Sequence, residues 1–190
     1  MLKKPKKLLS FIYLTHFSLS RFESVNKNSI YQVCATNEEV YVCVKEKASY
    51  MNCNPLRTFL HEKVKEGYRF YVIDFQNCPS MDSTFLGILV GLALQLRKLE
   101  VTGKLTLINL VGRNLETVQN LGIHKIATVS SNYVTNTKEL ESLNHHSNHE
   151  EANPEIIYKA HKTLLELNEK NSRIFRDVVN YLEQKIEDSV

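Results

Sequence analysis

The chain has 190 residues, of which 43% are hydrophobic and 24% are charged, a balance typical of a folded globular protein and unlike that of a disordered or fibrous one. The net charge is only +3, and much of it comes from lysines among the first seven residues. A broad basic surface for nucleic acid is therefore excluded. The length suits one domain with extensions.

The N-terminal region, residues 1–28, shows no clear period. Its lysines precede an apolar run over residues 8–19, which imitates a signal peptide. However, polar residues interrupt this run, no small-x-small cleavage site follows it, and a membrane span needs about 20 apolar residues. We therefore expect a flexible or artificially extended N-terminus and no stable membrane insertion.

The cysteines form no C-x-x-C pair and have no histidine at zinc-ligand spacing. We expect four free thiols in a reducing cytoplasm, and a disulfide in a secreted protein is the alternative. The four residues are Cys34, Cys43, Cys53 and Cys78.

The first half of the predicted domain alternates strands and helices. The β-branched and aromatic runs 30–35 and 40–44 predict a hairpin. A helix is predicted to open at Pro55 and to end at Gly67. Residues 69–75 are apolar at nearly every position, which predicts a central strand covered on both faces.

The next helix, over residues 85–98, is apolar around most of its circumference, so it needs a second packing partner besides its own sheet. The pattern then predicts a strand over 104–110, a helix over 114–121, a strand over 126–129 and a short final helix over 137–143. This order predicts an α/β domain over residues 29–143, with a mixed β-sheet flanked by helices.

The C-terminal region begins with a polar linker over residues 144–153. Pro154 then opens a helical pattern that extends over residues 154–188, an extra C-terminal helix. Polar residues interrupt its middle, so the pattern fits one bent helix or two shorter ones; they are Asn168, Asn171 and Ser172. Its apolar stripe must pack either on the main domain or on a second copy of the chain in a homodimer.

Motifs for catalysis are absent from the sequence. It has no phosphate-binding glycine loop, no nucleophile elbow and no dinucleotide-binding motif, so we expect no enzyme and no cofactor. A flexible linker does not pre-organise metal ligands, and no H-E-x-x-H pattern is present, so we also expect no metal site. The ligands considered and set aside are His145, His146, His149, Glu150 and His161.

Residues 81–87 read Met-Asp-Ser-Thr-Phe-Leu-Gly and lie where a predicted buried strand leads through a turn into a helix. From spacing alone, Ser83 fits a helix cap. The segment also closely resembles the Met-Asp-Ser-[Ser/Thr]-Gly-Leu-Gly signature of STAS domains, in the anti-anti-sigma factor (anti-sigma factor antagonist) branch. The resemblance covers about residues 29–143 and implies the family's small mixed sheet with flanking helices.

In that family, a partner kinase that is also the anti-sigma factor phosphorylates the serine after the aspartate. The resemblance therefore implies phosphorylation of Ser83, with Thr84 as the alternative, by an anti-sigma factor and serine kinase of the GHKL type. The chain is then a bacterial regulatory protein that binds its partner and is released when phosphorylated. The partner-binding residues implied are Ser80, Met81, Asp82, Thr84, Phe85, Ser49 and Tyr50.

Physical chemistry is compatible with this switch. A phosphate at a helix N-terminus meets the positive end of the helix dipole, so the domain tolerates it. A docked partner would instead face about two added negative charges beside Asp82, which is enough to weaken binding by about a hundredfold or more. The exposed apolar side of the 85–98 helix is predicted to be the docking surface.

Two departures from the family pattern affect the prediction. Phe85 stands where the signature has glycine, and we expect its ring either to fill a pocket on a particular partner or to exclude a kinase adapted to the smaller residue. Loop 45–50 also differs from the more common family loop, in which glycine and an acidic residue help to contact the partner. The alternative function is a constitutive STAS adaptor or scaffold subunit, for example one docking on a transporter ATPase, without control by phosphorylation.

Overall fold

A computed structural model describes residues 29–36, 39–131, 140–143 and 152–188. The predictions for residues 1–28 and for most of the linker lie outside the described residues. None of the helices within these ranges combines the length and the apolar character that crossing a lipid bilayer requires.

The described strands form one mixed sheet in the spatial order β5-β4-β3-β2-β1-β6. The first two strands pair antiparallel as the predicted hairpin, and β2 through β5 pair in parallel. The strands are β1 (Tyr31–Ala35), β2 (Glu39–Val44), β3 (Phe70–Asp74), β4 (Lys104–Ile108), β5 (Thr128–Ser130) and β6 (Glu141–Ser142).

The last strand corrects the sequence prediction. A helix was predicted over residues 137–143, but Glu141 and Ser142 pair antiparallel with Val33 and Gln32 of β1. A seven-residue helix is marginal by itself, whereas the outer edge of β1 offers backbone groups that need partners. The predicted helix is therefore wrong at its described end.

The described helices pack on one face of the sheet, and the alternate strand residues Tyr41, Cys43, Val72 and Ile108 form a second buried cluster on the other face. Strand β3 is buried at every position after its first residue, as expected for a central strand, and it leads towards α2. Gly67 follows the first helix with φ of 101°, a conformation that favours glycine, so the predicted helix end is confirmed. The helices are α1 (Cys53–Lys65), α2 (Ser83–Arg97), α3 (Gly112–Asn120), α4 (Pro154–Leu167) and α5 (Glu169–Glu187), with a 3-10 turn over Ile123–Lys125.

The C-terminal region forms two helices that pack on the main domain. The break falls at Asn168, whose side chain accepts a hydrogen bond of 2.9 Å from the Asn171 amide and so caps α5. Helix α4 packs against both α2 and α5, forming an outer layer over α2. Both asparagine side chains donate to the Leu121 carbonyl, at 3.1 Å and 3.0 Å, which anchors the break to the end of α3.

Candidate functional site

The junction between β3 and α2 is built around Asp82. This residue has an extended backbone, and its Oδ1 accepts a hydrogen bond of 2.9 Å from the Phe85 amide, so its side chain caps α2. Ser83 follows as the first residue of the helix. The cap expected at this junction is therefore supplied by Asp82, and Ser83 lies in the first turn, where helix amides lack intrahelical acceptors.

A second loop lies beside the junction and is held by the same carboxylate. The Tyr50 amide donates to Asp82 Oδ2 at 2.8 Å. The backbone of Ala48 is bonded to both sides of Met81, because its amide donates to the Ser80 carbonyl and its carbonyl accepts from the Asp82 amide, each at 3.0 Å. The two loops therefore form one rigid surface around the start of α2.

Part of this surface is accessible. Tyr50 is 40% exposed and its neighbour Met51, which the sequence did not single out, is 49% exposed. Ser80, Met81 and Asp82 are half-buried. We call residues 50–51 and 80–83 the Ser83 surface.

Three of the residues predicted to bind a partner are buried and cannot contact one in this conformation. Ser49 is 6% exposed, Thr84 is 3% exposed and Phe85 is completely buried. Thr84 is therefore also a poor alternative acceptor for phosphate.

Phe85 is a core residue, so neither role expected for its ring applies. Its ring stacks on Tyr31, with centroids 6.4 Å apart and an interplanar angle of 7°. It meets Phe75 edge to face, at 6.2 Å and 86°. Such pairs stabilise a core beyond the area that they bury. The departure from the signature glycine is therefore explained by packing within the domain.

The Ser83 hydroxyl contacts a residue of the C-terminal region. Its Oγ lies 2.8 Å from Nε2 of His161, and Nδ1 of the same ring lies 2.8 Å from the Ile157 carbonyl oxygen. A carbonyl can only accept, so Nδ1 carries a hydrogen; when the imidazole is neutral, Nε2 is the acceptor for the Ser83 hydroxyl. His161 is only 7% exposed and its ring meets Phe175 at a centroid distance of 5.8 Å.

Sequence reasoning considered His161 only as a metal ligand and missed this contact. The signal available was its position on the apolar stripe of the C-terminal pattern, which predicts a buried imidazole in need of a polar partner. Within the described ranges, no three His, Cys, Asp or Glu side chains are grouped as a metal site requires. The linker histidines and Glu150 lie outside those ranges.

Helix α4 covers the face of α2 that was predicted to be an exposed docking surface. A Cβ atom at Gly87 would lie 2.3 Å from the Ala160 carbonyl oxygen, so the two helix backbones are in direct contact. Such an approach is open only to glycine. The prediction of an exposed apolar face is therefore wrong, because the second packing partner that α2 required is the chain's own α4.

A serine hydroxyl hydrogen-bonded to a histidine is the arrangement of a nucleophile and its general base. A reaction also needs a cavity at the hydroxyl. A groove of about 330 Å³ lies between α1, α2 and α4, but neither Ser83 nor His161 lines it. The Ser83 hydroxyl is therefore hydrogen-bonded and partly covered, and this groove does not serve it as a substrate cleft.

Cys53 lies close to the site and is completely buried. Burial, and then the negative charge of Asp82, raises the pKa of its thiol to about 12. Burial likewise raises the pKa of Cys43 and of Cys78. The thiol of each of the four cysteines is free, in agreement with the expectation.

Residues 33–136, more than half of the chain, match the profile of the STAS domain. Three solved structures resemble the chain, each with a TM-score of 0.45. The anti-sigma factor antagonist SpoIIAA in its unphosphorylated form is 19% identical, over 54% of this chain and 89% of that one. The Bacillus cell fate determinant SpoIIAA in its phosphorylated form is 18% identical, over 53% of this chain and 91% of that one.

An anti-sigma factor antagonist from Mycobacterium paratuberculosis is 19% identical, over 56% of this chain and 86% of that one. No curated protein sequence matches the chain. The family predicted from residues 81–87 is confirmed by the profile match, and the six-stranded mixed sheet with its flanking helices agrees with it. The chain belongs to the STAS domain family.

Proposed function

We propose that the chain is a regulatory protein resembling an anti-sigma factor antagonist, which binds a serine kinase through the Ser83 surface and is released when Ser83 is phosphorylated. The observation that carries the proposal is the position of Ser83. It is the first residue of α2, beside a capping carboxylate, and it is half-buried at the edge of a partly exposed rigid surface. The proposed kinase is an anti-sigma factor of the GHKL type, and the proposed location is the cytoplasm.

Binding in the unphosphorylated state would use the apolar groups on this surface. Tyr50 and Met51 are exposed large side chains next to Asp82. Exposed aromatic and methionine side chains are enriched in protein interfaces, whereas charged groups are depleted at their centres. A partner would therefore cover these two side chains and desolvate the start of α2.

Release would follow from charge. A phosphate on Ser83 adds about two negative charges next to the Asp82 carboxylate. Within the domain, the first-turn amides and the helix dipole stabilise these charges. In a desolvated interface the partner offers no groups that stabilise these charges, so the affinity of the chain for the kinase falls. ATP belongs to the kinase, and the chain itself performs no catalytic step.

The test combines a phosphorylation map with a charge substitution. Phosphopeptide analysis of the protein isolated from its source is expected to find phosphate on Ser83. Pull-down with the Ser83→Asp variant is expected to lose the kinase, whereas Ser83→Ala keeps it. Thr58→Asp, an exposed position on α1, is the matched control for an added charge. Retention of the same partner by Ser83→Asp and the wild type would contradict the proposal.

A second function, a constitutive adaptor, is favoured by one observation. The Ser83 hydroxyl is already hydrogen-bonded to His161, and α4 occupies the adjacent face of α2. In an adaptor these contacts are structural and phosphate is never added. Mass spectrometry of the captured proteins distinguishes the two functions, because a transporter ATPase and a GHKL-type kinase give different peptides.

The homodimer considered from the sequence would use α5, because α4 packs against both α2 and α5. Ile174 and Tyr181 are 52% and 62% exposed on that helix. Light scattering over a range of concentrations tests the dimer, with Ile174→Glu as the disrupting variant. A monomer mass at every concentration would exclude it.

A further inference from the structure

We propose that α4 and α5 form a cover over Ser83, and that the closed cover and a phosphate on Ser83 exclude one another. We call residues 152–187 the cover. The proposal deepens the function above and rests on the phosphorylation of Ser83. It assigns a regulatory role to the part of the chain that follows the matched STAS region.

Two contacts hold the cover at the Ser83 surface. The Ala152 amide donates to the Tyr50 carbonyl oxygen at 2.8 Å, on one side of the site. His161 Nε2 accepts from the Ser83 hydroxyl on the other side, at 2.8 Å. Both contacts engage the same two loops that the proposed partner would bind. A partner and the closed cover therefore compete for the start of α2.

The hydroxyl contact leaves no room for a phosphate in the closed state. Phosphorylation forms a bond between Oγ and the γ-phosphorus of ATP, ADP departs, and the hydroxyl proton passes to a base of the kinase. The product has lost the hydroxyl hydrogen that a neutral imidazole accepts, and a phosphate cannot occupy the 2.8 Å gap between Oγ and Nε2. A phosphate on the His161 side of Oγ therefore requires the imidazole, and the helix that carries it, to move away. A phosphate turned outward would leave α4 in place, and the exchange experiment below distinguishes this outcome from opening.

The two helices of the cover pack on each other as well as on the domain. Its two helices make their most extensive contacts with each other, and the second most extensive contact is that of α4 with α2. The contact with α2 depends on a backbone approach at Gly87, which a single methyl group would prevent. A helix pair whose contact with itself exceeds its contact with the domain can open as a unit while the sheet stays folded.

Gly87 and Gly91 provide a matched pair of variants. An added Cβ at Gly87 would lie 2.3 Å from a backbone oxygen of α4, whereas one at Gly91 would meet no atom within 4 Å. Both Gly→Ala substitutions favour the helix equally. Only Gly87→Ala therefore pushes the cover away, and it leaves Ser83 and His161 unchanged.

Hydrogen exchange of the full chain, read by mass spectrometry, tests the cover. Gly87→Ala and Ser83→Asp are expected to speed exchange about tenfold or more in peptides of residues 154–167, while strands 70–74 and 104–108 keep their wild-type rates. Gly91→Ala is expected to match the wild type. Equal protection of 154–167 in both glycine variants, or loss of protection in the sheet together with the cover, would overturn the proposal.

The outcome for Ser83→Asp separates the two proposals. Opening in Gly87→Ala but not in Ser83→Asp would show that charge at Ser83 does not act on the cover, and the exclusion proposed here would be wrong. If the cover opens in both variants but no phosphate is found on Ser83 from the source, the proposed function is wrong. The effect of charge at Ser83 on the cover would still stand.

Discussion

The rings of Tyr31 on β1 and Phe85 on α2 lie within 7° of parallel, with their centroids 6.4 Å apart. Both side chains are completely buried, and the Tyr31 hydroxyl donates to the Asn52 side chain at 2.9 Å. The stack joins the first strand to the helix that carries Ser83. The stack holds the start of α2 on the core, while Asp82 holds it through the cap.

Phe85→Ala is expected to lower the free energy of unfolding by about 3–5 kcal/mol, because a buried aromatic side chain leaves a cavity. Phe70→Ala removes the same atoms from a side chain that is 48% exposed, so it should cost clearly less. Urea denaturation followed by circular dichroism measures both. Similar losses in the two variants would contradict the core role of Phe85.

Asp82 has two separable contacts. Asp82→Ala loses both the cap on α2 and the link to Tyr50, and we expect it to cost about 1–2 kcal/mol of stability. Asp82→Asn keeps one acceptor oxygen, which can still cap the Phe85 amide, so a smaller loss is expected. Chemical denaturation compares the two, and an asparagine variant as unstable as the alanine variant would show that the Tyr50 link matters more than the cap.

Asn168 and Asn171 should respond differently to substitution although they are close in sequence and bond the same carbonyl. Asn168→Ala removes the cap of α5 and is expected to cost about 1 kcal/mol. Asn171 is completely buried and its Oδ1 has no hydrogen-bond partner, while Leu121 would keep its bond from Asn168. Asn171→Leu should therefore be near neutral or stabilising. Thermal unfolding tests the ranking, and a larger loss for Asn171→Leu would contradict it.

The raised pKa of Cys53 predicts that the stability of the chain falls at alkaline pH. Its pKa is raised from 9.0 to about 12 in the folded chain, so between these values the unfolded chain releases a proton that the folded chain keeps. Stability is fully present below pH 9 and falls above it, by up to about 1.4 kcal/mol per pH unit for this group. Urea midpoints from pH 8 to 11 measure the slope, and Cys53→Ala should reduce it.

Alkylation provides a second measurement of the same group. At pH 8 the native Cys53 is a neutral, buried thiol, so iodoacetamide should leave it unmodified. Cys34 is half-buried and is expected to react faster. Equal labelling of the two in the native chain would show that Cys53 is not shielded.

Much of the sheet could be predicted because its signals are local. Residues 69–75 are apolar at nearly every position, which only a strand covered on both faces tolerates, and β3 lies there. Gly67 ends the first helix for a reason contained in its own backbone. The pairing of Glu141 and Ser142 with β1 depends on a contact distant in sequence, which a local pattern does not encode.

The candidate site could be predicted only in part. The excess of apolar residues on α2 correctly indicated a second partner, but burial against another molecule and burial against the same chain have the same physical cause. The pattern therefore could not distinguish an exposed docking surface from one covered by α4. For the same reason, the substitution of phenylalanine for the signature glycine suggested a surface role, although Phe85 lies in the core.

The order of Ser83 and His161 along the chain has a consequence for protein synthesis. Ser83 and His161 are separated by 78 positions. At about 5–20 residues per second, a ribosome adds the histidine roughly 4–16 seconds after the serine. The six strands of the sheet all precede α4, so a newly made chain presents the hydroxyl uncovered before its own helix can arrive. A kinase acting on nascent chains would therefore find Ser83 without its hydrogen bond to His161.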